Sequence, residues 1–237
     1  MNREHQLRIF QAQVLNVKEL DTAWRHLKRS IHADLVSDQQ SSARIHTKTL
    51  ALVYCAWSEA VLSKLVHTPH GFDLSEIEQI KSAQHSSIVN AWKKCIELAA
   101  AKVGKQTGSY VPNIRKRLEK LVRTYIEDPS LVRNKVAHGQ WRVALNRENT
   151  EINATISQQI EALNVVQLDI WREAFLGLSE IVEAMIESPD RTFHRDYPKI
   201  LARIEEHLEK TSGYSLDDKV AQLKLKASRQ EFQRKHA

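Results

Sequence analysis

The sequence predicts an all-α protein, and three of its features carry that expectation. Glycine and proline are scarce, six and five in 237 residues, so long helices can run uninterrupted. Apolar residues recur at three- and four-residue steps over most of the chain, which is the repeat of one helix face. The frequent turn signals that an all-β chain needs are missing.

Residues 4–35 place Leu7, Phe10, Val14, Val17, Leu20, Trp24, Leu27 and Ile31 on one stripe, an amphipathic helix. The polar run SDQQSS at 37–42 ends it. A second helix is expected over 43–67, where LALVYCAWSEAVLSKLV is apolar on most sides and so belongs at the centre of a bundle. Pro69 and Gly71 stop it. Ser75 and Glu78 have capping-box spacing and open a third helix reaching about residue 103. GKQTGSYVPN at 104–113 reads as a loop, and a helix restarts over 114–126.

Asp128, Pro129 and Gly139 frame a short helix, with Asp as cap, Pro at the first helical position and Gly just past the end. Residues 141–163 are less regular, and ALNRENTEIN reads as a turn or a short excursion. A long amphipathic helix follows over 165–186. SPDRTFHRDYP at 188–198 breaks the pattern and sets the expected boundary. The chain then divides into a helical domain over 1–190 and a charged C-terminal helical extension over 191–237, with helices at 199–210 and 216–235. Trp24, Trp57, Trp92 and Trp171 fall on apolar stripes and are expected in the core.

The formal charge of +6 and the pI near 9.3 favour polyanionic partners. Cys55 and Cys95 are far apart and form no CxxC pair, so both read as buried, reduced thiols, consistent with a reducing cytosol. The N-terminal segment lacks the apolar stretch of a secretory signal, and the longest apolar run, 50–57, is short of a membrane span. A cytoplasmic location with no membrane partner is expected.

The segment that carries chemistry is LVRNKVAHG at 131–139. Arg133 precedes His138 on a short helix, with Asn134 after the Arg, Ala137 before the His and Gly139 after it. RNKVAHG in an all-helical chain resembles the HEPN superfamily, whose signature is an Arg, often followed by Asn, Asp or His, and a His a few residues further on. Tyr54, Trp57 and Glu59 are similar to the aromatic-then-acidic stretch of some HEPN subfamilies. The sequence departs from the toxin branch pattern R-x-x-x-x-H-x-Y, with Gln140 in place of the aromatic and Trp141 next. The resemblance implies a HEPN-like helical bundle over most of 1–190 and an endoribonuclease needing no metal or other cofactor.

Those residue types suit RNA cleavage because RNA carries its own nucleophile, the 2′-OH. Histidine titrates near neutrality and can move protons, so His138 is the expected acid–base group. Arginine stays cationic and can grip phosphate oxygens in a bidentate fork, the expected role of Arg133. Asn134 would orient His138 or substrate. Glu59, polar on an otherwise apolar helix, needs a partner, and Arg133 is one candidate. The product would be a 2′,3′-cyclic phosphate. Positions five apart on a helix point roughly 140° away from each other, so one helix does not present Arg133 and His138 as a pair. Two copies meeting across a two-fold axis, as HEPN dimers do, would supply a composite site.

Residues 102–148 hold eleven basic side chains against four acidic ones, an excess that RNA backbone would need. Lys135, Arg115, Lys116, Lys120, Arg123 and Arg142 are the candidate RNA contacts. RNA and a homodimer partner are therefore expected, and the resemblance adds a toxin, abortive-infection or antiviral setting with a possible antitoxin or regulatory partner. The alternative is a non-catalytic HEPN module that binds RNA or protein. In the plainest reading Arg133 pairs with Glu127 or Asp128, His138 only closes its helix, and the basic residues are a solvated face. No GxxxxGK[ST], HExxH or GxSxG motif is present, and His67 and His70 flank a helix stop without acidic or Cys co-ligands nearby.

Overall fold

The computed structural model describes residues 2–103 and 109–235. Among these the elements are α1 (Arg3–Val36), α2 (Gln40–Val66), α3 (Leu74–Ser86), α4 (Ile88–Lys102), α5 (Tyr110–Val122), a π-helical turn (Arg123–Glu127), α6 (Asp128–Ala137), α7 (Ala154–Ala162), α8 (Val165–Glu187), α9 (Thr192–Thr211) and α10 (Leu216–Lys235). The described residues form no strand, only one antiparallel bridge between Leu145 and Ile152. The fold is all-α.

Asn2 caps α1 by accepting from the His5 N–H at 2.9 Å. α1 and α2 make an antiparallel hairpin, held at the turn by Asp34 and His46 (2.6 Å) and at the far end by Gln6 donating to the Thr68 carbonyl (3.1 Å). α2 is the central helix that its composition predicts, packing against α1, α4, α6 and α8. By length and apolarity alone α2 could cross a membrane, but 61% of that window is buried inside the bundle. Its Tyr54 and Trp57 meet Trp24, Trp171 and Phe175, and Trp92 packs edge-on against Phe175, in one aromatic cluster in which Trp171 is only half-buried. Cys55 and Cys95 are both buried and free. Burial pushes the Cys55 thiol up to about 12, against the pull of Arg133, and raises Cys95 further.

Several boundaries differ from expectation, each for a local reason. The capping box of α3 is Asp73 with Glu76, not Ser75 with Glu78: Asp73 accepts from the Glu76 N–H and Glu76 from the Asp73 N–H, both at 2.8 Å. The expected third helix is two helices. Ser87 is extended at φ −172° and caps α4 through the Asn90 N–H, a break made without Gly or Pro.

Downstream, the described part of the expected 104–113 loop already starts α5 at Tyr110, while 104–108 lie outside the described residues. The chain then stays helical to Ala137, so Asp128 caps nothing and sits inside the helix at φ −58°. Pro129 interrupts without breaking. It has no N–H for the Tyr125 carbonyl, and the Tyr54 hydroxyl donates to that oxygen instead, at 2.7 Å. The π-helical turn lies just before the proline, with the Asp128 N–H bonded to the Arg123 carbonyl.

The irregular stretch 141–163 contains an unexpected helix, α7, capped by Asn153. α9 starts at Thr192, inside the expected break, and runs through Pro198. Its Phe193, Tyr197, Leu201 and Ile204 join the same core as α8. Gly177 makes that packing close: a Cβ there would lie 2.4 Å from the Ile204 side chain. α10 lies on α1 and α8 through half-buried Leu216, Val220 and Leu223.

Candidate functional site

The C-terminus of α6 builds the site. His138 is the capping residue, its N–H bonded to the Asn134 carbonyl at 3.2 Å. Gly139 follows in the left-handed region at φ +81°, as its position in the motif predicts. The Gly139 N–H reaches the Val136 carbonyl (3.1 Å) and the Gln140 N–H reaches the Lys135 carbonyl (2.9 Å), a Schellman closure. The Trp141 indole N–H also donates to the Val136 carbonyl, at 2.8 Å. Lys48 of α2 donates to the Trp141 carbonyl, and Lys135 to the Leu145 carbonyl at 2.5 Å. The turn after the motif is therefore tied to both α6 and α2.

Arg133 faces α2. It forms the ion pair with Glu59 that was one candidate from the sequence, not one with Glu127 or Asp128. The guanidinium also touches Cys55. Its Nε is buried without a hydrogen-bond partner, while the side chain as a whole is 30% exposed. This pair is thus only partly shielded from solvent.

His138 faces elsewhere. With Asn134 it lines a groove of about 790 Å³ between α6, the 146–153 segment and the start of α7. That volume falls in the usual range for ligand sites. Leu131, Asn134 and His138 form one exposed stripe of α6, and Arg147, Asn149 and Asn153 make the facing wall. Asn134, His138 and Arg147 have no side-chain hydrogen bond or ion pair among the described residues. Other polar groups here are structural: Gln140 accepts from the Leu145 N–H at 2.8 Å, and Asn146 binds Thr150 through two 2.9 Å bonds.

Arg133 does not line this groove, so a single copy gathers His138 and Asn134 but leaves Arg133 on its own face. Glu59 lies at the edge of a different concavity, between α1 and α2. Among the candidate RNA contacts, Lys135 borders the groove with its charge already on a carbonyl. Arg115 is paired with Glu119 at 2.7 Å. Lys116, Lys120 and Arg123 follow one exposed side of the helix that leads into α6, and Arg142 is exposed on the turn.

Arg147, Asn149 and Asn153 are site residues the sequence reading did not single out. Their signal is the amide-rich run NRENTEIN, whose local pattern predicts a turn or a short excursion and no site. Among the described residues no three His, Cys, Asp or Glu side chains gather as a ligand set. His67 is buried, bonded to the Ser63 carbonyl at 2.7 Å, with its pKa lowered chiefly by burial. Compared with known proteins, the chain matches no family model, no curated protein and no solved structure.

Proposed function

We propose that the protein is a metal-independent endoribonuclease of the HEPN type, acting as a homodimer. The observation that carries this reading is the open groove in which His138, Asn134 and Arg147 are free of other partners. A nucleotide can enter there and meet a group able to move a proton and a cation able to hold phosphate. Because Arg133 and His138 occupy different faces of α6, the complete site takes Arg133 from one copy and His138 from the second.

The imidazole accepts the 2′-OH proton as the 2′-oxygen attacks phosphorus. The P–O5′ bond breaks, and an imidazolium returns a proton to the leaving 5′-oxygen. Phosphate charge builds on the non-bridging oxygens, where the guanidinium fork acts. The products are a 2′,3′-cyclic phosphate and a 5′-hydroxyl. Such an enzyme would serve as a toxin or antiviral effector held in check by a regulatory partner.

The ion pair between Arg133 and Glu59 favours a second reading, a non-catalytic RNA-binding module in which Arg133 only fastens α6 to α2. One experiment separates the two. Labelled RNA is incubated in EDTA with the protein, with Arg133→Ala, with His138→Ala, and with the two variants mixed after unfolding and co-refolding. The nuclease reading expects each single variant to lose roughly 10²- to 10⁴-fold in rate. The mixture regains activity, because a mixed dimer holds one intact composite site. In cells, induced wild-type protein arrests growth and His138→Ala does not. Equal cleavage by wild type and His138→Ala removes the assignment, and binding without cleavage establishes the module.

A further inference from the structure

Two concavities of about 450 and 550 Å³ lie along the middle of α1 and share Arg25. The larger is lined by Thr22, Arg25, His26, Lys28, Arg29 and His32, and no carboxylate is among its described lining. α10 packs on α1 and carries Lys219 and Lys226 close enough to act on His32, beside this lining. After burial, Lys219, Lys28 and Lys226 are what hold the His32 imidazole down, at about 4, against Asp169.

Most of this charge is uncompensated. Lys28 has Asp169 at 2.6 Å. Arg25, however, donates only to the Asp21 carbonyl and the Thr22 hydroxyl of its own helix, and Arg29 only to the His26 ring. Arg25, Arg29, Lys219 and Lys226 have no ion pair among the described residues. The contrast is α9, where Arg195, Arg203 and Lys210 each hold a carboxylate. In the neighbouring concavity Arg172 lies over Trp57 at 4.8 Å and is paired with Asp21, beside Lys18 and Lys64. Like charges gathered on a concave surface repel one another until an anion joins them. A row of them along a trough fits the repeating charge of a nucleic-acid backbone.

We infer that the basic concavities along α1, where α10 packs beside them, are a second RNA contact, a track for the phosphate backbone outside the His138 groove. The choice of RNA rests on the functional reading above.

The test measures binding of a fluorescent single-stranded 20-mer RNA by the full chain in EDTA, between 50 and 200 mM salt. It uses the His138→Ala background to keep the probe intact. Paired variants, Arg25→Gln with Arg29→Gln and Lys219→Gln with Lys226→Gln, should each weaken binding and flatten log Kd against log salt by about 1.4, at roughly 0.7 per phosphate contact. Arg25→Lys with Arg29→Lys should keep the slope. Having the charge removed from two helices independently keeps the test valid if one pair fails to fold.

Unchanged slopes in both Gln pairs overturn the inference. So does charge-dependent binding to phosphatidylglycerol vesicles with none to RNA. A reduced slope in a protein whose wild type never cleaves RNA supports the track and removes only the nuclease reading.

Discussion

Gly139 and His138 show how much one backbone position contributes. A Cβ at Gly139 would meet open space, yet the φ of +81° strains any L side chain there. Gly139→Ala should therefore lower stability by about 1 kcal/mol in urea titration. It should also disturb His138, since the same Schellman turn holds both. A variant as stable as wild type would show that the turn relaxes freely. The glycine and its helix-ending role are legible from RNKVAHG alone. The direction of Arg133 is legible only as a set of alternatives, because a long guanidinium on a short helix can reach acids on several elements.

At the scale of the element, the continuous helix from α5 to α6 receives one hydrogen bond from a distant hydroxyl. Pro129 leaves the Tyr125 carbonyl without its helical donor, and Tyr54 of α2 supplies one. Tyr54→Phe should cost roughly 1–3 kcal/mol in thermal or chemical unfolding, since a desolvated carbonyl would be left unpaired. A cost of a few tenths would mean that water reaches the carbonyl. Sequence logic places a helix start at Asp128 because Asp followed by Pro is a strong local start signal. That signal is overridden by a contact spanning seventy-one positions, which no local pattern contains. The break at Ser87 escapes local logic for the converse reason: a serine flipped to extended geometry caps α4 without any of the usual breakers.

Across the whole molecule, one buried and one half-buried imidazole, His67 and His32, contribute to the response to acid. Burial lowers both His32 and His67, His32 to about 4 with help from Lys219, Lys28 and Lys226 and opposition from Asp169. Their unfolded forms bind protons near pH 6.5, before the folded forms do. Stability therefore falls as pH drops through that region towards the folded values. Unfolding free energy should be lower at pH 5 than at pH 7, and His32→Phe should flatten part of the difference. A pH-independent His32→Phe-minus-wild-type difference would refute the contribution of His32.

By itself the sequence determined the helical class, the central place of α2, the aromatic core and the shape of the turn after His138. Each follows from periodicity, apolarity or a single glycine, quantities that a linear chain carries. Only the tertiary structure decided that Arg133 takes Glu59, that His138 opens onto the amide-rich 146–153 segment, and that α9 closes on α8 at Gly177. Those outcomes depend on which side chains distant elements bring within a few ångströms, and that proximity is a property of packing, not of local spacing.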